Sequence, residues 1–423
     1  MTAALKSAGL RSGLPAAPGP ARPPVVLVGQ GSVVGLQTAR LLADRGVAVI
    51  GLTRDARHFA ARTRACAQIV ETDVYTTEFV DRLERLGPRL GRAVLVPCTD
   101  QSALLTAKNR DRLEPWYAIA LPEYDVLHRL ADKGRFRATV AEAGLRVPRT
   151  AVVNGWPDLD RVIAELRFPV VMKPTVKSAV WQAGAAVKVV LARTPAELIT
   201  AYRDTHAWTA QLVVQEYVGG ETGELFTINA YYDARSRPLA SCFTRKVRQW
   251  PPRVGIASYA VECRNDDLVS LADRLFQHVG FVGLGYLEAK RDPDSGELLL
   301  IEANVGRPTG RSATAEAAGV ELLMTMYADL AGLPLPPPSR RQQRFVGAGW
   351  VDVRRDALAV RREVRRGRLT WRRALAQWRR PRIAHAVWSA RDPLPFALDV
   401  GRSIGVLLRR RWPGRPARRV PGE

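Results

Sequence analysis

The 423-residue sequence has no run of eighteen apolar residues, about the length a helix needs to cross a bilayer. Residues 1–24 (MTAALKSAGLRSGLPAAPGPARPP) lack the unbroken apolar stretch of a secretory signal. A disordered leader and a cytoplasmic protein are therefore expected. Cysteine is also scarce: Cys66, Cys98, Cys242 and Cys263 stand far apart with no C-x-x-C pair, which argues against a disulfide framework or a thiolate zinc site. Lysine is the third shortage, with only 8 among 64 basic residues. In an arginine-dominated chain, either a lysine marks a place that wants a compact ammonium, or the arginine excess is genomic bias. What remains is 47% hydrophobic and 25% charged, enough for two or three domains with real cores.

The net charge of +23 is unevenly spread: residues 340–423 hold 23 arginines, no lysine and 6 acids. Basic character is thus a property of the C-terminal segment. The arginine pairs Arg365-Arg366, Arg372-Arg373 and Arg379-Arg380 recur every seven residues, and Trp350, Trp371, Trp378, Trp388 and Trp412 are interspersed. On one helix the pairs would return to one face. Such a face suits peripheral contact with an anionic membrane surface, favoured because residues 392–411 carry an apolar stretch bordered by arginines. Nucleic acid is the less favoured partner, and a solvated helix packed on the body is the plain alternative.

Residues 25–54 read as strand, glycine turn, amphipathic helix and strand, a βαβ unit. Gly29, Gly31 and Gly35 are spaced G-x-G-x-x-x-G, one residue longer than the dinucleotide fingerprint. A tight turn without a ligand is favoured over a nicotinamide site. A further buried strand at 93–100 completes a small α/β domain. Residues 125–150 then read as a helix with a gap at Gly134, and 168–174 as a strand ended by Pro174. Residues 212–220 form a strand running into glycines, and 224–244 two antiparallel strands. Residues 286–304 form a hairpin turning at Asp292-Pro293-Asp294-Ser295-Gly296.

That hairpin carries the chemistry. Counted from Ser295, Glu288 and Glu302 are equidistant, so a symmetric hairpin opposes the two carboxylates on one face, with Asn304 pointing the same way. Opposed like charges destabilise a hairpin unless something neutralises them. Either a hard dication such as Mg²⁺ lies between them, or the hairpin is solvated and Lys290 neutralises one acid. Lys173 ends an apolar strand, and Lys133 follows Asp132 on a helix. Together they would clamp a polyphosphate.

The order of these pieces resembles the ATP-grasp superfamily: Asp132-Lys133, FPVVMKP with Lys173, VVQEYVGG with Gln215 and Glu216, then Glu288 followed by Glu302 and Asn304. The stretch RKVRQWPPRVGIASYAVEC (245–263) is similar to the carboxylate–amine ligase branch that includes D-aspartate-ligase-like enzymes. The resemblance covers about residues 25–336. It implies an α/β (α+β) fold with a Rossmann-like pre-ATP-grasp domain at 25–125 and a two-lobed ATP-grasp domain at 126–336, hinged near 213–220. A basic helical extension would occupy 337–423. It further implies an ATP- and Mg²⁺-dependent ligase (Mn²⁺ being an alternative ion) that joins a small-molecule carboxylate to an amine through an acyl phosphate. By residue, Lys133 and Lys173 would contact ATP phosphates, Gln215, Glu216 and the Val218 backbone would meet adenine, and Glu224 the ribose. Glu288, Glu302 and Asn304 would hold the metal. Arg307, Arg245 and Arg248 would clamp oxygens that become negative during reaction.

Two departures accompany the resemblance. Asn304 is followed by Val305, Gly306 and Arg307, where the family has N-P-R. The loop expected over the phosphates, TVKSAVWQAGAAVKVV (175–190), contains only Gly184, and glycine is what lets backbone N–H groups approach phosphate closely. A non-catalytic scaffold held by its basic tail is the alternative these departures leave open.

Overall fold

The structure is a computed structural model that describes residues 22–175, 189–209 and 211–411, the last six of these by backbone alone. The loop 176–188, with Lys177, Gly184 and Lys188, lies outside the described residues.

Three sheets organise the chain. The first is β1 (Val25–Val28), β2 (Val49–Thr53), β3 (Gln68–Glu71), β4 (Ala93–Pro97) and β5 (Tyr117–Ile119). They run parallel in the order β3-β2-β1-β4-β5. β1, β2 and β4 are buried at every residue, which is why they read as continuous apolar runs: helices cover both faces. This is a Rossmann-like domain. Its glycine turn is closely packed, because a Cβ at Gly35 would sit 2.7 Å from the Gly29 carbonyl oxygen. Residues 22–24, expected in a disordered leader, are held instead: Pro23 O accepts from the Tyr327 hydroxyl and Pro24 O from the Val94 N–H.

The second sheet comprises β6 (Thr150–Val153), β7 (Val170–Pro174), β8 (Val190–Ala192) and β9 (Leu212–Glu216), antiparallel in the order β6-β9-β7-β8. The helical stretch before it is two helices, Tyr124–Ala131 and Lys133–Glu142. The break falls at Asp132 rather than Gly134, since the Asp132 carboxylate accepts from the N–H groups of Gly134 and Arg135 at 2.9 Å and caps the second helix.

The third sheet has seven strands: β10 (Leu225–Tyr232), β11 (Pro238–Trp250), β12 (Ile256–Glu262), β13 (Gly283–Arg291), β14 (Leu298–Val305), β15 (Gly349–Val351) and β16 (Ile383–His385). Their order is β14-β13-β10-β11-β12-β15-β16. The C-terminal segment therefore supplies two strands to this sheet in addition to helices Val353–Arg365, Trp371–Trp378 and Leu394–Arg411. Its heptad arginines do not share one helical face. Gly367, at φ +68°, ends the first helix, so Arg365 and Arg366 close that helix, Arg372 and Arg373 open the next, and Arg379 and Arg380 close it. No helix among the described residues is long and apolar enough to cross a membrane.

The segment is anchored at both ends. Asp356 is fully buried and accepts two hydrogen bonds from Arg248 (2.9 and 2.6 Å), one from Ser258 (2.7 Å) and one from the Trp378 indole (2.7 Å). On the parallel domain, Arg40 donates to Asp392 and to the Val387 carbonyl, and Gln37 to the His385 and Ala386 carbonyls. Breaking a buried ion pair from one side leaves the other charge uncompensated. Asp356→Ala is accordingly expected to lower unfolding stability by about 3–5 kcal/mol, read from the shift in urea midpoint at unchanged m-value.

Helix Ser312–Ala317 packs on helix Val33–Ala43. There burial pushes the Glu316 carboxyl up to about 7, with Arg45 opposing and Glu321 adding to the rise. A carboxyl whose pKa is raised by folding contributes stability that is full below its unfolded value near 4.5 and is lost as pH climbs through about 7. Glu316→Gln should flatten the pH dependence of stability between those limits and leave the variant more stable at pH 8 by up to about 3 kcal/mol, measured by denaturant titration across pH.

Candidate active site

The hairpin β13–β14 places Glu288 directly opposite Glu302, and Tyr286 opposite Asn304. The pairing depends on a bulge. Below it Ala289 pairs with Leu300, so Ile301 is the extra residue. Were the lower register continued without a bulge, Glu288 would face Ile301 and Glu302 would turn to the other side of the sheet. Across β10 and β11 the same row continues through Thr227 and Thr244, whose hydroxyls meet at 2.6 Å.

Glu288 is 5% exposed. Lys246 Nζ donates to its Oε1 at 3.0 Å, the Tyr286 hydroxyl donates to its Oε2 at 2.9 Å, and Arg311 Nη2 lies 3.5 Å from Oε2. Burial raises its carboxyl above the ordinary range, Lys246 pulls it back, and Glu302 raises it again. The lysine expected to neutralise an acid, Lys290, instead donates to the Val218 carbonyl at 2.7 Å and sits over the Tyr217 ring. Burial lowers its ammonium to about 8.

Lys246 and Arg311 were not picked out by the sequence. Lys246 sits on the face of Glu288 because it is two residues beyond Thr244. Its neighbour Arg245 therefore faces the other way and is exposed. A second bulge, at Val247, separates Lys246 from Arg248, and Arg248 is committed to Asp356. Neither Arg245 nor Arg248 is brought to the carboxylates. Arg311 is nearly buried, lies over the Tyr286 ring, and its Nη1 has no hydrogen-bond partner among the described residues. The rarity of lysine was the signal for Lys246; among 56 arginines nothing marked Arg311.

The other carboxylate belongs to a chain of contacts. Asn304 Nδ2 donates to Glu302 Oε1 at 3.2 Å, and Arg307 Nη2 donates to Asn304 Oδ1 at 2.7 Å while its Nε donates to Asp100 of the parallel domain. A small cleft is lined jointly by Asp100, Lys133, Glu302 and Asn304.

The four-stranded sheet faces this site. Lys173 and Gln215 lie on the side of β7 and β9 opposite the core residues Met172 and Val214. Lys173 is 7% exposed, with Nζ 3.4 Å from Gln215 Oε1, and Gln215 donates to the Thr150 hydroxyl. Lys173 acts electrostatically on Glu288, so the two sheets share one cleft. Lys133 Nζ donates to the Thr175 carbonyl. Glu216 points to the opposite face from Gln215, where it accepts from the Arg167 N–H at 2.9 Å and lies 3.8 Å from Arg149. Glu224, half exposed, lies 3.6 Å from Arg291.

No family model matches the chain. It is 22% identical to the D-aspartate ligase of Enterococcus faecium over 241 residues, covering 54% of this chain and 56% of that protein. It is 25% identical to a D-alanine–D-alanine ligase of Pseudomonas entomophila over 211 residues, covering 47% and 63%. The match thus spans less than two thirds of either relative. Among solved structures it is similar to the biotin carboxylase domain of Hydrogenobacter thermophilus 2-oxoglutarate carboxylase, crystallised with MgADP (TM-score 0.60, 15% identity, covering 74% and 71%). It is likewise similar to an L-amino acid ligase of Bacillus licheniformis (TM-score 0.56, 15% identity, covering 75% of each chain). These likenesses point to the ATP-grasp superfamily. In the fold shared with these neighbours the Rossmann-like domain leads, the four-stranded and seven-stranded sheets form the two lobes, and the acidic hairpin stands on the larger lobe.

The Lys246–Glu288 ion pair is testable without any ligand. Lys246→Met and Glu288→Leu should each destabilise the protein, and the double variant should recover part of the loss. A coupling energy of about 1–3 kcal/mol in urea unfolding is expected.

Proposed function

We propose that the chain is an ATP- and Mg²⁺-dependent carboxylate–amine ligase. The observation that carries the reading is the cross-strand pair Glu288–Glu302 with Asn304 beside it, on a cleft that also receives Lys133 and Lys173. The donor set fits a hard dication: two carboxylates and an amide on one face, all oxygen ligands of the kind Mg²⁺ takes. Glu288 accepts from Lys246 and Tyr286, but an ionised carboxylate has about four lone-pair sites, so it retains capacity for a metal. Bound there, the metal would neutralise phosphate oxygens and hold the nucleotide in place.

The residues of the chain would then divide the work. Lys173, with its stem packed in β7 and its ammonium steadied by Gln215, and Lys133, at the first turn of its helix, would bind the polyphosphate. Gln215 would orient the base from the strand end, together with the backbone at Val218. The reaction this equips is attack of a substrate carboxylate oxygen on the γ-phosphorus, with ADP leaving, followed by attack of an amine on the acyl carbon. Inorganic phosphate leaves in that second step as the amine gives up a proton. Arg311 and Arg307 flank the acids from the loop after β14, where planar guanidinium groups would stabilise the developing oxygen charge. Arg245 and Arg248 have no part in this reading. The ligase names among the relatives and the MgADP bound to one structural neighbour support it.

The test follows ADP release with Mg-ATP and a panel of amino acids and small carboxylic acids as paired substrates. Turnover is expected with at least one pair. Glu302→Gln should lower kcat by a factor of about 100 or more, the scale of losing one preorganised electrostatic group, at an unchanged unfolding midpoint. Normal rates in that variant contradict the role given to Glu302.

A further inference from the structure

Beyond the cleft, the C-terminal segment encloses a groove of about 520 Å³, within the range of small-molecule sites. Its apolar walls include Leu375, Trp378 and Trp388, and Arg379, Arg380 and His385 complete the lining, with no acid among the residues that form it. Trp378 is fixed in place, since its indole N–H is spent on Asp356. Leu375 and Trp388 are 42% and 43% exposed, a large apolar area to leave in water. His385 completes that lining with its Nδ1 buried away from the groove and without a hydrogen-bond partner among the described residues.

We propose that this groove binds a small amphipathic organic anion, an aryl or branched-alkyl carboxylate. Its apolar body lies between Trp378 and Trp388, and its carboxylate meets Arg379 and Arg380. Each half of that description has its own observation. Two indoles and a leucine select a hydrophobic body, for which aromatic walls give large contact at low entropic cost. Two guanidinium groups on an acid-free rim select a negative head. A groove of about 520 Å³ has the size of a small-molecule site. The assignment does not depend on the ligase reading, because the groove lies among residues 353–388 and contains none of the cleft residues.

Isothermal titration calorimetry of the full chain with 3-phenylpropionate tests the assignment, with 3-phenylpropionamide as the uncharged control and phosphatidylglycerol vesicles as the lipid arm. Saturable one-site binding of the acid is expected, with the amide at least tenfold weaker. The double variant Arg379→Gln/Arg380→Gln and the single variant Trp388→Ala should each weaken the acid at least tenfold. These side chains are exposed, so the unfolding midpoints should stay within a degree or two of the parent, on the scale expected of surface changes. Arg311→Gln, altered in the cleft, should leave the affinity unchanged. Absence of saturable binding, equal affinity for acid and amide, or wild-type affinity in the groove variants overturns the proposal. So does binding lost only in Arg311→Gln, which would place the acid in the cleft, and so does binding of vesicles without binding of the free acid.

Discussion

A buried carboxylate set against a second carboxylate is the constraint around which the larger lobe is built. Desolvation and the neighbouring acid both raise the free energy of ionised Glu288. The sheet answers with cations placed by register: Lys246 from β11 and Arg311 from the loop after β14, plus the tyrosine hydroxyl two residues away on the same strand. None of these is a flexible surface partner. Each is fixed by the strand or packed loop that carries it, so the charge arrangement is set when the sheet forms. Two bulges tune it. The extra residue Ile301 turns Glu302 toward Glu288, and the extra residue Val247 turns Arg248 away from Lys246 toward Asp356.

Those bulges mark the boundary of what a sequence can say. The parallel domain was legible because continuous apolar strands and a glycine turn leave few alternatives. The hairpin was legible because Asp292-Pro293-Asp294-Ser295-Gly296 is unmistakable turn chemistry, and symmetry about Ser295 named the partners. Yet that symmetry holds only through the bulge, which period-2 reasoning does not contain: the strands below it pair about a different centre. The same blindness explains why Arg245 and Arg248 were chosen over Lys246. Local spacing placed all three near the site, and only the register of β10 with β11 and β12 decides which one faces it. Gln215 and Glu216 show the same limit from the other side. A dipeptide on a strand divides between two faces, so one motif delivered one residue to the cleft and sent the other to Arg149 and Arg167.

The C-terminal segment shows how composition misleads when topology is unknown. Seventeen excess positive charges in one stretch read as an independent basic helix. In the fold, part of that charge is internal. Arg248 of the seven-stranded sheet pairs with Asp356 of the segment, while Arg40 of the parallel domain pairs with its Asp392. At least two of its six acids, Asp356 and Asp392, are the anchors that join three parts of the chain.

Lysine usage gives the clearest link from composition to chemistry. Five lysines fall among the described residues, and four of them, Lys133, Lys173, Lys246 and Lys290, surround the cleft, leaving only Lys108 elsewhere. Such clustering is what a preference for ammonium over guanidinium at these positions would produce. The physical reason is size and donor count. A guanidinium brings five N–H donors in a rigid plane, and in a buried site every donor needs an acceptor; an ammonium brings three on a compact centre and can point its charge at one oxygen. Arg311 displays the cost of the other choice, since burial leaves its Nη1 without a partner among the described residues. The ammonium groups of Lys246 and Lys290, by contrast, are met by a carboxylate oxygen at 3.0 Å and a carbonyl oxygen at 2.7 Å.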